Sequence, residues 1–338
     1  MKKFLTLLLG FIMCFGVFGV VGCNAPASNG GVKTLTFFTP DGAPALAVAK
    51  FIKDQEDFGI KDAKFSYKVV SSSEIGLILS KQQADFVVVP VNAASKLYKA
   101  NTNNPYVMTA VLTHGNLYLM SSNQTQSLQD LKGQVVGVIG QGLVPDLTFK
   151  AILSDAGLLS DVVYGDTATP NKITLRYFEK AENLIPLLKQ GVLSVGLLPE
   201  PACTNLSKVA SNHTWTRLDI QQLYDAETQS YPQAVLMVRK AVYQACKTQI
   251  DAMGSLFAQN LQWVKTNTAE AVNAVNAMLP QGVSPSLVAE NITSTVVDNC
   301  KIFYQASTLA QTEVINFINK LIAIDPTCAR SITQDFFA

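Results

Sequence analysis

Apolar and polar positions along this chain alternate through two successive cycles of strand and helix. In the first cycle, "TLTFF" at 34–38 has the β-branched and aromatic content of a short buried strand. It leads into Asp41-Gly42. Pro44 then opens a helix in which Ala45, Leu46, Val48, Ala49 and Ile52 recur at helical spacing. A second strand is predicted at 64–70, "KFSYKVV". Within "LILSKQQADFVVVPVNAASKLYK" (77–99) a helix ends near Lys81-Gln82, an apolar strand follows, Pro90 closes it and a new helix begins. The second cycle repeats this order. The strand 135–139 enters "GQG" at 140–142, and Pro145 starts an amphipathic helix carrying Leu147, Phe149, Ile152 and Leu153. "KITLRYF" (172–178) is its second strand, and "PLLKQGVLSVGLLPEPACTNLSK" (186–208) repeats the helix, strand, proline and helix.

Alternation of this kind predicts parallel sheets with helices on both faces, and ligands outside the carboxyl ends of the strands. Taken alone, the Asp41-Gly42 turn reads as an ordinary tight turn. Its duplication at 140–142 makes it a cleft wall. The extended run 105–121 and the strand in 231–244 are expected to cross between two lobes as a hinge. Helices are predicted at 241–264, 268–279, 285–305 and 309–323, packing back onto the first lobe. The lobes are therefore expected at 33–113 with 234–338, and at 114–233 including the hinge crossings.

The N-terminus changes the location. Lys2 and Lys3 precede an apolar run from Phe4 to Val21, and Gly22 precedes Cys23. This is the layout of an export signal over 1–22, and "VVGC" (20–23) resembles a bacterial lipobox whose cysteine is lipidated. An uncleaved anchor ending near Val21 is the alternative. Residues 23–32 read as a flexible tether. The body is thus expected outside the cytoplasm, lipid-anchored to the bacterial cell membrane.

Charge and chemistry narrow the class. There are 26 basic and 25 acidic residues without a basic cluster, which argues against nucleic acid as a partner. The two histidines, His114 and His213, have no metal-ligand spacing, and neither a phosphate loop nor a Gly-x-Ser-x-Gly elbow occurs. No metal and no cofactor is expected. Of the cysteines beyond Cys23, the pair Cys300 and Cys328 is closest along the chain and is a candidate disulfide, the alternative being buried free thiols.

Four segments, "DGAPALAVAKF", "LQDLKGQVVGVIGQGLVPDLTFKAIL", "LLKQGVLSVGLLPEPACT" and "YPQAVLMVRKAV", together with the lipobox, resemble bacterial solute-binding lipoproteins of ATP-driven (ABC) transport systems. The nearest group is the nitrate/sulfonate/taurine and thiamine-precursor binding family. The resemblance implies an α/β, two-lobed type II periplasmic-binding-protein fold with a hinge and an interlobe cleft. It also implies a small-molecule ligand, an ABC permease and its ATPase as partners, a monomer, and no enzymatic chemistry. Carried over by position, the cleft candidates are Asp41, Gly42, Ala43, Ser72, Ser73, Asn92 and Ala93 from the first lobe. The second lobe contributes Gly140, Gln141, Gly142, Leu143 and Glu200, and Tyr231 at the return crossing is placed to stack on a ring. The serines, Asn92 and Glu200 have an alternative role as helix-terminus residues.

Asp41, Glu74 and Glu200 on the expected rim, with Lys180 as the obvious cation, favour a neutral or weakly basic ring such as a pyrimidine. A small oxyanion or sulfonate held by helix N–H groups is the alternative, and Arg176 or Arg217 turned inward would favour it. Of the other classes, a pyrimidine-synthesising enzyme of this fold needs a histidine and a cysteine-rich segment not found here. A ligand sensor would need a separate membrane partner.

Overall fold

The computed structural model describes residues 33–98, 104–123, 125–210, 212–228 and 230–338; the signal, Cys23 and tether readings lie outside them. The strands are β1 (Lys33–Pro40), β2 (Ala63–Val70), β3 (Phe86–Pro90), β4 (Tyr106–His114), β5 (Leu117–Ser121), β6 (Gln134–Ile139), β7 (Val162–Tyr164), β8 (Ile173–Phe178), β9 (Val195–Pro199), β10 (Thr216–Asp219), β11 (Pro232–Arg239) and β12 (Ile302–Ala306). They form two six-stranded sheets, ordered β12-β4-β11-β3-β1-β2 and β10-β5-β9-β6-β8-β7. In each, the first strand of a cycle is the middle one of three parallel strands. β1 lies parallel between β2 and β3, and β6 parallel between β8 and β9. Antiparallel strands follow on one side: β11 and β4 in the first sheet, β5 and β10 in the second. The duplication seen in the hydrophobic pattern is therefore a duplication of topology.

The first lobe is filled by aromatics that β1, β2 and β3 direct to one face. The Phe37 ring lies 5.7 Å from Phe86 and 5.4 Å from Tyr67, within the range where ring pairs add to area burial. In the second lobe the helix Ala181–Lys189 lies close on β6 and β9 because Gly137 and Gly196 face it. A Cβ on either would stand 2.4 Å from Leu184 Cδ1 or 2.7 Å from Leu188 Cδ1. A further apolar core runs across both sheets, joining Val87 and Met108 to Val136, Val138 and Phe317.

Several elements differ from the sequence reading. The first helix is broken into Ala43–Leu46 and Ala49–Asp54. Fully buried Asn260 bridges the break: its Oδ1 accepts from Lys50 N–H at 2.8 Å and its Nδ2 donates to Leu46 O and Ala47 O at 3.1 and 2.8 Å. The segment 285–305 is not one helix but a turn at Ala289–Asn291, a helix Ser294–Asn299 and strand β12. The crossings fall at Gly115-Asn116 and between β10 and β11, and β11 lies wholly in the first sheet. Helices Gly254–Thr266 and Thr268–Asn276 pack onto the first lobe. The last helix, Ser307–Ile324, also meets the second-lobe helix Val144–Asp155, where Lys320 Nζ lies 2.7 Å from Asp155 Oδ2.

Cys300 and Cys328 are not bridged; all four cysteines of the described residues are free. Cys300 sits in the first-lobe core and Cys328 in the core shared by both sheets, so each is packed separately. Burial pushes both thiols up, Cys328 to about 11. No helix of the described residues is long and apolar enough to cross a membrane.

Candidate functional site

The middle strand of each parallel trio, β1 and β6, ends in a glycine turn held by an aspartate. After β1, Gly42 adopts φ 102° and ψ −149°, a backbone open chiefly to glycine. Asp41 Oδ1 accepts from the Gly42 N–H at 2.7 Å, and Asp41 Oδ2 accepts from the Ser286 N–H at 2.7 Å. After β6, Gly140 and Gly142 have φ of 65° and 71°. Asp146, fully buried, accepts there from the Gly142 N–H at 2.8 Å, from Lys150 Nζ at 3.1 Å and from Tyr177 OH at 2.8 Å. Burial and the neighbouring Asp146 carboxylate push the Tyr177 phenol well above its usual range, keeping it a donor. In both turns the glycine N–H is already engaged by a carboxylate.

Between the turns lies a cleft of about 330 Å³. Asp41, Gly42, Ala43, Ser72, Ser73, Gly140, Leu143 and Glu200 line it, as the sequence placed them. Gln141, Gly142, Asn92, Ala93 and Tyr231 are not on its walls. Asn92 is buried behind the first wall and donates from Nδ2 to Cys328 O at 3.2 Å and, more weakly, to Gly142 O at 3.5 Å. These bonds tie the two lobes and the C-terminal segment. Tyr231 is fully buried, stacked 5.3 Å from Phe317, with its hydroxyl on Gln221 Oε1 at 3.1 Å. Its place at the crossing put it in the core beneath the hinge, not in the cleft. Neither Ser72 nor Ser73 caps the helix Ile75–Ser80; Ser73 Oγ instead shares a hydrogen bond with Ser71 Oγ at 2.9 Å.

Glu200 is buried at the cleft wall and its charge is answered locally. Arg217 Nη1 donates to Oε1 at 2.6 Å, and Thr204 donates from Oγ1 and from N–H at 3.1 Å each. The Arg217 guanidinium stacks 3.4 Å above the Tyr118 ring, off the cleft lining, while Arg176 pairs with Asp166 at 2.9 Å. Neither guanidinium turns into the cleft. Lys180 is the one cationic side chain among the described lining residues, and it is exposed between Glu179 and Glu182.

Sequence reasoning missed a strap over the mouth. Residues 283–288 leave the first lobe, contribute Val283, Ser284, Pro285, Ser286 and Val288 to the cleft, and are pinned by Asp41 at Ser286 and by Asn276 Nδ2 at Leu287 O (3.1 Å). Just beyond, Asn291 Nδ2 donates to Asn205 Oδ1 at 2.7 Å and Lys208 Nζ to Glu290 O at 2.7 Å. Both acceptor and donor on the far side lie on the second-lobe helix Ala202–Val209, so these bonds join the lobes across the mouth. Pro280 and Pro285 were the only sequence signal, and they mark a non-helical stretch. Gln233 was missed too; it lines the cleft from the start of β11.

A second, more open groove of about 370 Å³ lies by the hinge, lined by His114, Asp219, Ser230, Asp298 and Lys301 among others. The interlobe cleft is the candidate site because the strand ends and both glycine turns converge there. His114, bonded to Ser230 Oγ at 2.5 Å, and His213 stand outside that cleft. Among the described residues no group of three or more His, Cys, Asp or Glu side chains is placed to hold a metal.

No family model matches the chain and no curated protein matches it. Solved structures do. An ABC transporter protein from Parabacteroides distasonis is 20% identical with a TM-score of 0.70, covering 90% of this chain and 99% of that one. The alkanesulfonate-binding protein SsuA from Xanthomonas axonopodis pv. citri, bound to MOPS, is 10% identical with a TM-score of 0.59, covering 89% and 96%. The periplasmic aliphatic sulphonate binding protein SsuA from Escherichia coli is 13% identical with a TM-score of 0.58, covering 86% and 94%. At these identities the likeness is one of fold: two lobes of the periplasmic-binding-protein kind.

Proposed function

We propose that this chain is an extracytoplasmic solute-binding protein, held at a membrane by a lipid on Cys23, that captures a small molecule between its lobes. It delivers that molecule to an ABC permease and its ATPase, works as a monomer and performs no chemistry itself. The observation that carries this reading is the cleft of about 330 Å³ where both glycine turns meet, closed over by the 283–291 strap. Two of the titrating groups at the cleft are spent on holding the walls: Asp41 on backbone N–H groups, Glu200 on Arg217.

The favoured ligand is a neutral or weakly basic small heterocycle. A bound oxyanion needs free donors, yet the Gly42 and Gly142 N–H groups already face Asp41 and Asp146. Lys180 is offset by Glu179 and Glu182 beside it. A sulfonate or similar oxyanion is the second reading, favoured by the likeness to two sulfonate-binding proteins and by Lys180 at the rim.

The test is native mass spectrometry of the purified chain before and after mild denaturation. A small molecule lost on unfolding supports capture, and its composition decides between ring and sulfonate. Absence of any released molecule, with no thermal shift by uracil or ethanesulfonate, would sink the reading. The anchor is checked separately: Cys23→Ser is expected to release the protein from membranes.

A further inference from the structure

Gln233 is set apart by the way β11 is built. Pro232 pairs with His114 and Ala234 with Thr113, so one residue of β4 is matched by two of β11, and Gln233 is the extra one. It has no partner in β3 either, where pairing starts at Ala234 and Pro90. A bulge of this kind re-aims a side chain out of the ladder. Here Gln233 lines the cleft, and its side-chain Oε1 is shut off from solvent and has no hydrogen-bond partner.

The other polar side chains of the lining are accounted for. Asp41 holds two N–H groups, Glu200 holds Arg217 and Thr204, Asn205 accepts from Asn291, and Ser71 bonds Ser73. Ser72, Glu179, Lys180, Glu182 and Ser284 are exposed and keep water. One further atom resembles Gln233 Oε1: the buried Ser286 Oγ, unpartnered, on the strap and 3.6 Å from where a Gly42 Cβ would stand. A buried polar atom without a partner is costly, so both atoms ask for one from a molecule in the cleft.

We propose that Gln233 reads the ligand, pairing its carboxamide with a neutral molecule that carries an N–H and a C=O side by side, an amide- or lactam-like edge, while Ser286 makes a second polar contact from the strap. This rests on the capture reading above and adds the chemical group that is captured. A carboxamide offers a donor and an acceptor in one plane, and that holds whichever way its ends are turned. A sulfonate has only acceptors and would leave Gln233 Oε1 unanswered.

The experiment is calorimetric and thermal-shift titration of the full chain with uracil and δ-valerolactam, each against its fully N-methylated counterpart, and with ethanesulfonate. The N-methylated rings keep the shape and lose the donor. Expected is binding of uracil or δ-valerolactam, weakened on the order of ten- to hundred-fold by N-methylation and by Gln233→Met alike. The comparison of ring with N-methylated ring uses the unaltered protein, so it stands even where Gln233→Met fails to fold. Equal binding of the methylated rings, or no effect of a folded Gln233→Met, overturns the assignment. Ethanesulfonate binding alone also overturns it while leaving capture intact. A molecule released in the native mass experiment is judged alike: with an N–H/C=O edge it supports Gln233, without one it does not. Silence from every probe and no released molecule overturns both readings.

Discussion

The ring of Tyr231 occupies the space beside Gly115 that any other residue would fill: a Cβ on Gly115 would stand 2.1 Å from Tyr231 Cζ. Gly115 N–H also donates to Tyr231 O at 2.9 Å, so the outgoing and returning crossings touch at this point. Gln221 completes the junction. Its Oε1 accepts from Leu117 N–H at 2.8 Å and from Tyr231 OH, and its Nε2 donates to Leu117 O at 2.9 Å.

Gly115→Ala is therefore expected to destabilise the protein by about 1–3 kcal/mol through overpacking against a ring that cannot withdraw. Denaturant unfolding measures this. Tyr231→Phe keeps the ring and removes one buried hydrogen bond, costing roughly 1 kcal/mol while leaving ligand affinity unchanged. A large affinity loss in Tyr231→Phe would return that residue to the cleft.

The mouth is joined by few bonds, of which Asn291 to Asn205 at 2.7 Å is central. Asn291→Ala should speed release of whichever small molecule co-purifies by roughly three- to tenfold, as loss of one bond of about 1 kcal/mol implies. The melting temperature of the empty protein should barely move. Stopped-flow release rates test this, and an unchanged rate would mean the strap does not limit exit.

Glu200 is buried, and of the three hydrogen bonds its carboxylate accepts, the one from Arg217 comes from outside its own turn. Arg217→Ala leaves that carboxylate facing Thr204 alone and should cost about 2–4 kcal/mol, the lower part of the range because the guanidinium is partly exposed. Arg217→Lys should rescue it poorly, since an ammonium does not stack flat on Tyr118 as the guanidinium does.

Burial holds the Cys203, Cys300 and Cys328 thiols above their usual range, and Cys246 is half-buried. Thiolate is the reactive form, so at pH 8 a maleimide or disulfide reagent should label Cys246 far faster than the other three. Unfolding should equalise all four. Extra label taken up by the unfolded chain only after reduction would indicate a bridge the folded structure does not contain.

Asp161 answers both Lys132 at 2.7 Å and Lys172 at 2.9 Å. The hydrogen bonds from those two ammonium groups lower its carboxyl to about 2. A depressed carboxyl contributes stability that is complete above the unfolded value near 4 and is lost as pH falls through about 2. Asp161→Asn should flatten the acid-unfolding curve between about pH 4 and pH 2 and leave the pH dependence of stability above pH 5 unchanged. A wild-type acid limb in the variant would place the sensitivity elsewhere.

Much of the fold was legible because it is local. Short runs of β-branched, aromatic and apolar residues gave β1, β2, β3, β6, β8 and β9, and the Gly-then-Pro order at 42–44 and 142–145 marked both turns. Those turns carried five of the expected site residues, Asp41, Gly42, Ala43, Gly140 and Leu143, to the cleft. What the sequence could not fix lies where distant segments decide. Asn260, more than two hundred residues away from Lys50, supplies the hydrogen bonds that let the first helix break. β12 forms because an open edge of β4 accepts it, although 302–306 alone reads as helix. Tyr231 turned inward because Gly115 leaves room for its ring, and the bulge at Gln233 exists only as a mismatch between two strands brought together by the hinge. Local propensity and periodicity act over a few residues and are written in order along the chain. Register, close approach and the balance of a buried polar group depend on which surfaces meet, and that is set only once the lobes are packed.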